Sequence, residues 1–118
     1  DNGKILIFAM DELPPHCPEC GGIVKGDTVM FGEPIPSDAL DECIAESRMC
    51  DCMLLIGTSA VVYPAAGFPV DVKASGGCLI EVNPNETPLT EMSDIVLRAP
   101  AGDVLPRVVA RIREITGA

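Results

Sequence analysis

The chain has 118 residues with 8 basic and 18 acidic side chains, and its formal charge of −10 repels phosphate backbones and anionic lipid, which argues against nucleic acid and membranes as partners. Hydrophobic residues make up 47% of it, with no Trp, one Tyr and three Phe, so intrinsic disorder is excluded and one domain-sized core must be built from aliphatic side chains. No apolar run approaches the roughly 18 residues of a membrane span, because Pro64 and Pro69 interrupt the longest candidate, Ala60 to Val70.

The chain opens Asp1-Asn2-Gly3-Lys4, and the apolar stretch Ile5 to Met10 is too short and too weakly flanked by positive charge for a secretory signal. A cytoplasmic location is therefore expected, where Cys17, Cys20, Cys43, Cys50, Cys52 and Cys78 stay reduced. Their uneven spacing does not resemble a disulfide framework. Residues 1–25 are Pro-rich around Leu13-Pro14-Pro15 and carry a Cys pair between glycines, which reads as a small separate lobe. Residues 26–118 alternate short apolar runs with amphipathic stretches, the rhythm of an α/β domain.

In chain order, Thr28-Val29-Met30-Phe31 reads as a short strand closed by Gly32. Ser37 is a candidate N-cap for a helix to Met49, with Leu40, Cys43, Ile44 and Ser47 on one face and Asp38, Asp41, Glu42 and Glu46 solvated. Met53 to Ile56 is uniformly apolar, as expected for a parallel strand covered on both faces, and it ends in Gly57-Thr58-Ser59. Pro64 suits the first position of a helix that Pro69 kinks and Gly76-Gly77 stop. Cys78 to Val82 is a strand ended by Asn83-Pro84-Asn85, and Ile95 to Leu97 is another. Asp103 is a possible cap for the last helix, whose Leu105, Val108, Val109, Ile112 and Ile115 recur at helical spacing.

Three of these features bear on chemistry. Cys17-Pro18-Glu19-Cys20-Gly21-Gly22 places two thiols three apart on a tight turn, which suits zinc better than redox work, since Gly21-Gly22 is a poor helix start. A structural zinc needs four ligands, and of the neighbours only His16 is a candidate, badly placed beside Cys17. The other four cysteines read as small buried hydrophobes. Gly57-Thr58-Ser59, Asn83-Pro84-Asn85 and Ala101-Gly102 all follow strands, and ligands of open α/β sheets gather outside the strands' carboxyl ends. His16 is the single histidine, in a setting that does not suit a catalytic base.

Cys-Pro-Glu-Cys-Gly-Gly, then Met30-Phe31-Gly32-Glu33-Pro34-Ile35-Pro36, Gly57-Thr58-Ser59 with Val62-Tyr63-Pro64-Ala65-Ala66, and Glu81-Val82-Asn83-Pro84 with Thr87-Pro88-Leu89-Thr90 stand in the order of one family. The sequence resembles the sirtuins, NAD-dependent protein deacylases, from about Leu13 to its C-terminus. The resemblance implies the C-terminal half of a Rossmann-like α/β domain with a partial zinc-binding lobe. It implies NAD as cofactor, with Gly57, Thr58 and Ser59 at the adenosine ribose, Asn83, Pro84 and Asn85 beside a second ribose contact, and Ala101 near adenine. It implies an acylated lysine peptide or protein as substrate, with Val29, Phe31, Gly32 and Glu33 forming one wall of its tunnel and Val62 and Tyr63 standing opposite. Cys17 and Cys20 would be half of a zinc site, and Asp1 to Glu12 the linker before it. The family's Gly-rich pyrophosphate turn, nicotinamide pocket, catalytic His and first Cys pair have no counterpart in these 118 residues, so no catalytic residue is assigned and inactivity of the chain alone is expected. The other reading is a non-catalytic nucleotide-binding or assembly module whose sheet is completed by a partner chain or a second copy.

Overall fold

The computed structural model describes residues 14–26 and 28–117. The linker expected over Asp1 to Glu12 lies outside the described residues. The chain divides into two compact units, Asp1–Ile35 and Pro36–Ala118.

The first unit is built of turns. His16 and Ile23 form an antiparallel bridge, and between them the Cys17 N–H donates to the Gly22 carbonyl at 2.7 Å while the Gly21 N–H donates to that of Cys17 at 2.8 Å. The strand expected at Thr28 to Phe31 does not form. The reason is the turn that follows, which uses the backbone groups a strand would need. The Glu33 N–H donates to the Met30 carbonyl at 3.0 Å, and the Met30 N–H donates to the Glu33 carboxylate at 2.9 Å.

The second unit is an α/β layer. Helix α1 (Ser37–Met49) leads to strand β1 (Cys52–Ile56), helix α2 (Phe68–Ala74), strand β2 (Cys78–Val82), strand β3 (Ile95–Leu97) and helix α3 (Ala101–Thr116). The sheet is parallel in the order β1-β2-β3, with Cys52 opposite Cys78, Ile56 opposite Val82 and Ile80 opposite Ile95. Parallel neighbours require a crossover, and α2, packed on β1, β2 and α1, is the first of these. The core is aliphatic, with Val72, Leu79 and Val82 at most 1% exposed.

Five local expectations are corrected. Pro36 rather than Ser37 caps α1, and Pro100 rather than Asp103 caps α3; neither cap uses a side chain, so Asp103 serves only as a negative charge in the first turn. The single kinked helix after Pro64 is a 3-10 turn over Ala65–Gly67 followed by α2, because Pro69 at the second position of α2 is compatible with a new start but not with a helix interior. Strand β1 is not covered on both faces. Leu55 is buried, but Leu54 is 48% and Ile56 41% exposed, since strand alternation turns them to a side that this unit covers incompletely. The cysteines outside the Cys17–Cys20 pair are not buried: Cys43 and Cys52 are exposed, Cys50 and Cys78 half-buried. For Cys52 the cause is again the open side of β1, on which it lies with Leu54 and Ile56.

Asp94 fastens this layer. Its carboxylate accepts the Leu79 N–H at 2.8 Å and pairs with Lys73 at 2.5 Å, tying the start of β3 to β2 and α2. The Lys73 ammonium first, and then the Leu79 N–H, hold the Asp94 carboxyl below its ordinary pKa. A carboxyl depressed on folding stabilises the fold above its unfolded pKa and loses that contribution as pH falls through the folded value. Asp94→Asn should therefore lower the urea midpoint at pH 7, with the gap to the parent closing as acidity passes below the usual carboxylate range; a gap independent of pH contradicts this role.

Close packing gives a second expectation. A Cβ on Gly77 would stand 2.6 Å from Val72 Cγ1 and 3.0 Å from the Val72 carbonyl, whereas one on Gly102 meets nothing within 4 Å. Gly77→Ala should destabilise by about 1–3 kcal/mol through overpacking, and Gly102→Ala should be neutral or stabilising by up to about 1 kcal/mol, measured by chemical denaturation.

Candidate nucleotide-binding rim

A parallel sheet delivers the carboxyl ends of its strands to one edge. There β1 runs into Gly57-Thr58-Ser59, β2 into Asn83-Pro84-Asn85, and β3 through Arg98 towards Ala101, the first residue of α3. Gly57 extends the ladder by donating its N–H to the Val82 carbonyl at 3.0 Å, and then leaves the sheet at φ +58°, a conformation that favours glycine. The Thr58 hydroxyl accepts the Ala60 N–H at 3.1 Å, and Ala60 itself is held at φ 54°, a strained setting for a residue with a Cβ.

Asn83 joins these turns. Its side chain is buried, its Nδ2 donates to the Thr58 carbonyl at 2.7 Å, and its Oδ1 accepts the Asn85 N–H at 3.0 Å. Its own N–H donates to the Leu97 carbonyl at 3.2 Å. One residue thus fixes three strand ends. Thr58, Ser59, Pro84 and Asn85 remain exposed, and Ala101 is half-buried. An open groove of about 390 Å³ runs beside the first turn, lined by Ile56, Thr58, Ser59, Val62, Phe68 and Leu89 among others. Exposed hydroxyls and amides at the rim of an apolar groove can hold a polar ligand that also carries a flat or aliphatic part.

The remaining candidates fall in two places. Val62 and Tyr63 are exposed in the second unit, before the cis Tyr63–Pro64 bond, with the Tyr63 ring against Gly67. Val29, Phe31, Gly32 and Glu33 share the exposed turn of the first unit. The Met30 N–H first, and Lys25 at 3.1 Å second, hold the Glu33 carboxyl below its ordinary range.

Cys17 and Cys20 lie on one knuckle. The backbone N–H groups of Cys20 and then Glu19 favour the Cys17 thiolate and lower its pKa, and the thiolate is the form that ligates metal. A Cβ on Gly22 would stand 3.5 Å from the Cys20 sulfur, an ordinary contact distance. The donor set suits zinc, but only as two of four ligands: among the described residues no three or more His, Cys, Asp or Glu converge.

Sequence reasoning missed Glu81 and Arg98. Glu81 is 1% exposed at the centre of the sheet, and Arg98 Nη1 donates to the Asn83 carbonyl at 3.1 Å and also to that of Asn85. The available signal was a lone carboxylate inside the otherwise apolar run Cys78 to Val82, since buried charges are almost always paired.

The Asn83 amide makes a definite prediction for the rim. Asn83→Ala strands the Thr58 carbonyl and should cost about 1–3 kcal/mol, while Asn85→Ala at an exposed position should stay within about 0.5 kcal/mol, both read from denaturant midpoints.

Comparison with known proteins bears on this arrangement. Residues 4–64 match the model of the Sir2 family. The NAD-dependent protein deacylase of Pyrococcus abyssi is 48% identical over 101 residues, covering 86% of this chain and 40% of that protein. Its counterpart in Thermococcus kodakarensis is 40% identical over 115 residues, covering 98% and 45%. The chain therefore spans less than half the length of these relatives. Among solved structures, a Sir2 homologue variant in complex with ADP-ribose superposes with a TM-score of 0.81 at 42% identity, over 90% of this chain and 43% of that one. A Sir2 homologue in complex with NAD gives 0.79 at 44%, over 86% and 40%. A Sir2 protein bound to a myristoylated histone peptide gives 0.79 at 38%, over 88% and 44%.

Proposed function

The chain belongs to the Sir2 family, and from that premise we propose that it is the C-terminal part of an NAD-dependent protein-lysine deacylase, supplying the adenosine side of the dinucleotide site. The observation that carries this reading is the stitching of Gly57-Thr58-Ser59 to Asn83-Pro84-Asn85 by the Asn83 side chain at the carboxyl rim of the sheet. Exposed Thr58, Ser59 and Asn85 would hold ribose hydroxyls, the groove beside Gly57 would take the apolar parts of the ligand, and Ala101 would border the adenine. NAD, when bound, would supply an electrophilic ribose carbon, nicotinamide as the leaving group on that carbon, and a ribose hydroxyl to receive the acyl group. By the resemblance, Val29, Phe31, Gly32 and Glu33 of the first unit and Val62 and Tyr63 of the second would each contact the substrate, an acylated lysine peptide. Cys17 and Cys20 would give two thiolates to a structural zinc, whose role is to cross-link the lobe. A cytoplasmic, reducing setting belongs to the same reading, because it keeps those thiols free.

The sequence has one histidine, His16, which sits beside the Cys17–Cys20 turn with its backbone bridged to Ile23, and no base for the transfer is assigned to it. The 118 residues alone are accordingly proposed to be inactive. A second reading, a module completed by a partner chain, is favoured by the exposed Leu54 and Ile56 of β1.

Titrating the isotopically labelled chain with ADP-ribose tests the first reading. Amide shifts should concentrate at residues 57–60 and 83–86; shifts scattered elsewhere, or none at millimolar ligand, overturn it. Incubation with NAD and an acetylated peptide should release no nicotinamide, and sustained turnover would contradict the assignment of the chain as catalytically incomplete.

A further inference from the structure

Glu81 is the unexplained group of the sheet. It sits in mid-β2, 1% exposed, opposite Leu55 of β1 and Val96 of β3, where an aliphatic side chain would complete the layer. Burying a carboxylate there is expensive, and a sheet does not need it. Its contacts all lead toward the rim. Oε2 accepts the Thr90 hydroxyl at 2.7 Å, and that hydroxyl oxygen accepts the Thr87 N–H at 2.9 Å. Oε1 has no hydrogen-bond partner and faces Arg98 Nη1 at 3.6 Å, within ion-pair range. Arg98 in turn donates from Nη1 to the carbonyls of Asn83 and Asn85 and from Nη2 to Thr90 Oγ1 at 3.5 Å.

We propose that Glu81 and Arg98 form a charged clamp that positions the Asn83–Asn85 turn for nucleotide binding. The inference rests on the reading of the rim as the adenosine site. The carboxylate draws the guanidinium under the turn, and the guanidinium gathers two carbonyls that β2 leaves without strand partners. Asn83, so held, presents its amide to Thr58, and the two turns of the rim take up one relative position. The chain of contacts from Glu81 to Arg98, Asn83 and Thr58 is unbroken. Both charged residues act through Asn83 and Asn85, so they are positioning residues.

A merely structural ion pair and a positioning clamp differ in what their removal changes. Glu81→Leu fills the same layer, and replacing a buried ion by an apolar side chain is commonly neutral or stabilising. Arg98→Met keeps much of the stem without the charge, and Glu81→Gln, which retains the shape and the Thr90 contact, covers the case in which Glu81→Leu does not fold. In the full 118-residue chain the expected result for Glu81→Leu is a thermal midpoint near that of the parent, whereas Arg98→Met, which leaves the buried Glu81 carboxylate without its cation, lowers it. Hydrogen exchange at the Asn85 and Thr87 amides should be about tenfold faster in each variant, with α1 and the β1–β2 ladder unchanged. Affinity for ADP-ribose should fall by about tenfold with the loosened turn. Exchange at Asn85 and Thr87 that is unchanged, or that rises only in step with the whole sheet, overturns the clamp even where ADP-ribose still binds. Selective release of the turn in a chain that binds no ADP-ribose upholds the clamp as a device of the fold and overturns the nucleotide reading instead.

Discussion

The amide of Asn83 is the constraint on which the rest of the rim depends. A buried amide must find partners for its donors and acceptor, and Asn83 finds them in the Thr58 carbonyl and the Asn85 N–H. Those partners belong to two turns well separated in sequence, so satisfying one side chain fixes their relative position. No shorter or acidic residue does this equally: Ala leaves the Thr58 carbonyl without its donor, and Asp presents an acceptor to it. The same logic explains why Asn83 is buried while Pro84 and Asn85 remain in solvent. The residue that builds the site and the residues that can meet a ligand are different residues.

Strain on the β1 side is tolerable because of that over-determination. Gly57 and Ala60 both take positive φ within four residues, and Ala60 does so with a Cβ. A conformation of this kind persists only when surrounding bonds leave the chain no cheaper alternative. Here the Gly57 N–H is held by Val82, the Ala60 N–H by the Thr58 hydroxyl, and the Thr58 carbonyl by Asn83. The result is a turn whose exposed Thr58 hydroxyl is already placed, so less ordering would remain for a polar ligand there.

Much of this was legible in the sequence, and the exceptions share a cause. Helix α1 is legible to within a residue of its observed bounds, and β1, β2, β3 and α3 each announce themselves by periodicity or by an uninterrupted apolar run. The Thr28 to Phe31 segment has the composition of a strand, but its backbone groups are taken by the Glu33 turn, a side-chain effect that period alone cannot show. Pro64 and Pro69 were visible as punctuation, yet whether they kink one helix or separate two depends on packing. The Gly57 and Asn83 turns were found by their position after strands. Glu81 and Arg98 were not, because their partnership joins residues 17 apart through the sheet interior, and only the carboxylate's apolar context hinted at it.

Half of the sheet's chemistry is written on its open side. Leu54, Ile80 and Ile95 share one face by register, and Leu54 and Ile95 are each nearly half exposed. Helix α3 likewise carries Val109, Ile112 and Ile115 exposed along one stripe. Apolar surface of this kind on both a sheet and an amphipathic helix is what an interaction face looks like, and it is what supports the second reading above. The chain spans less than half the length of each longer relative, and under the proposed reading the rest of such a protein would be what meets that surface. The consequence for the site follows from where β1 ends. Its exposed edge residue Ile56 leads directly into Gly57, and the groove beside the rim is lined by Ile56, Val62 and Phe68. The exposed side of β1 and the groove are therefore continuous, so under the proposed reading a segment that covers one would also border the other.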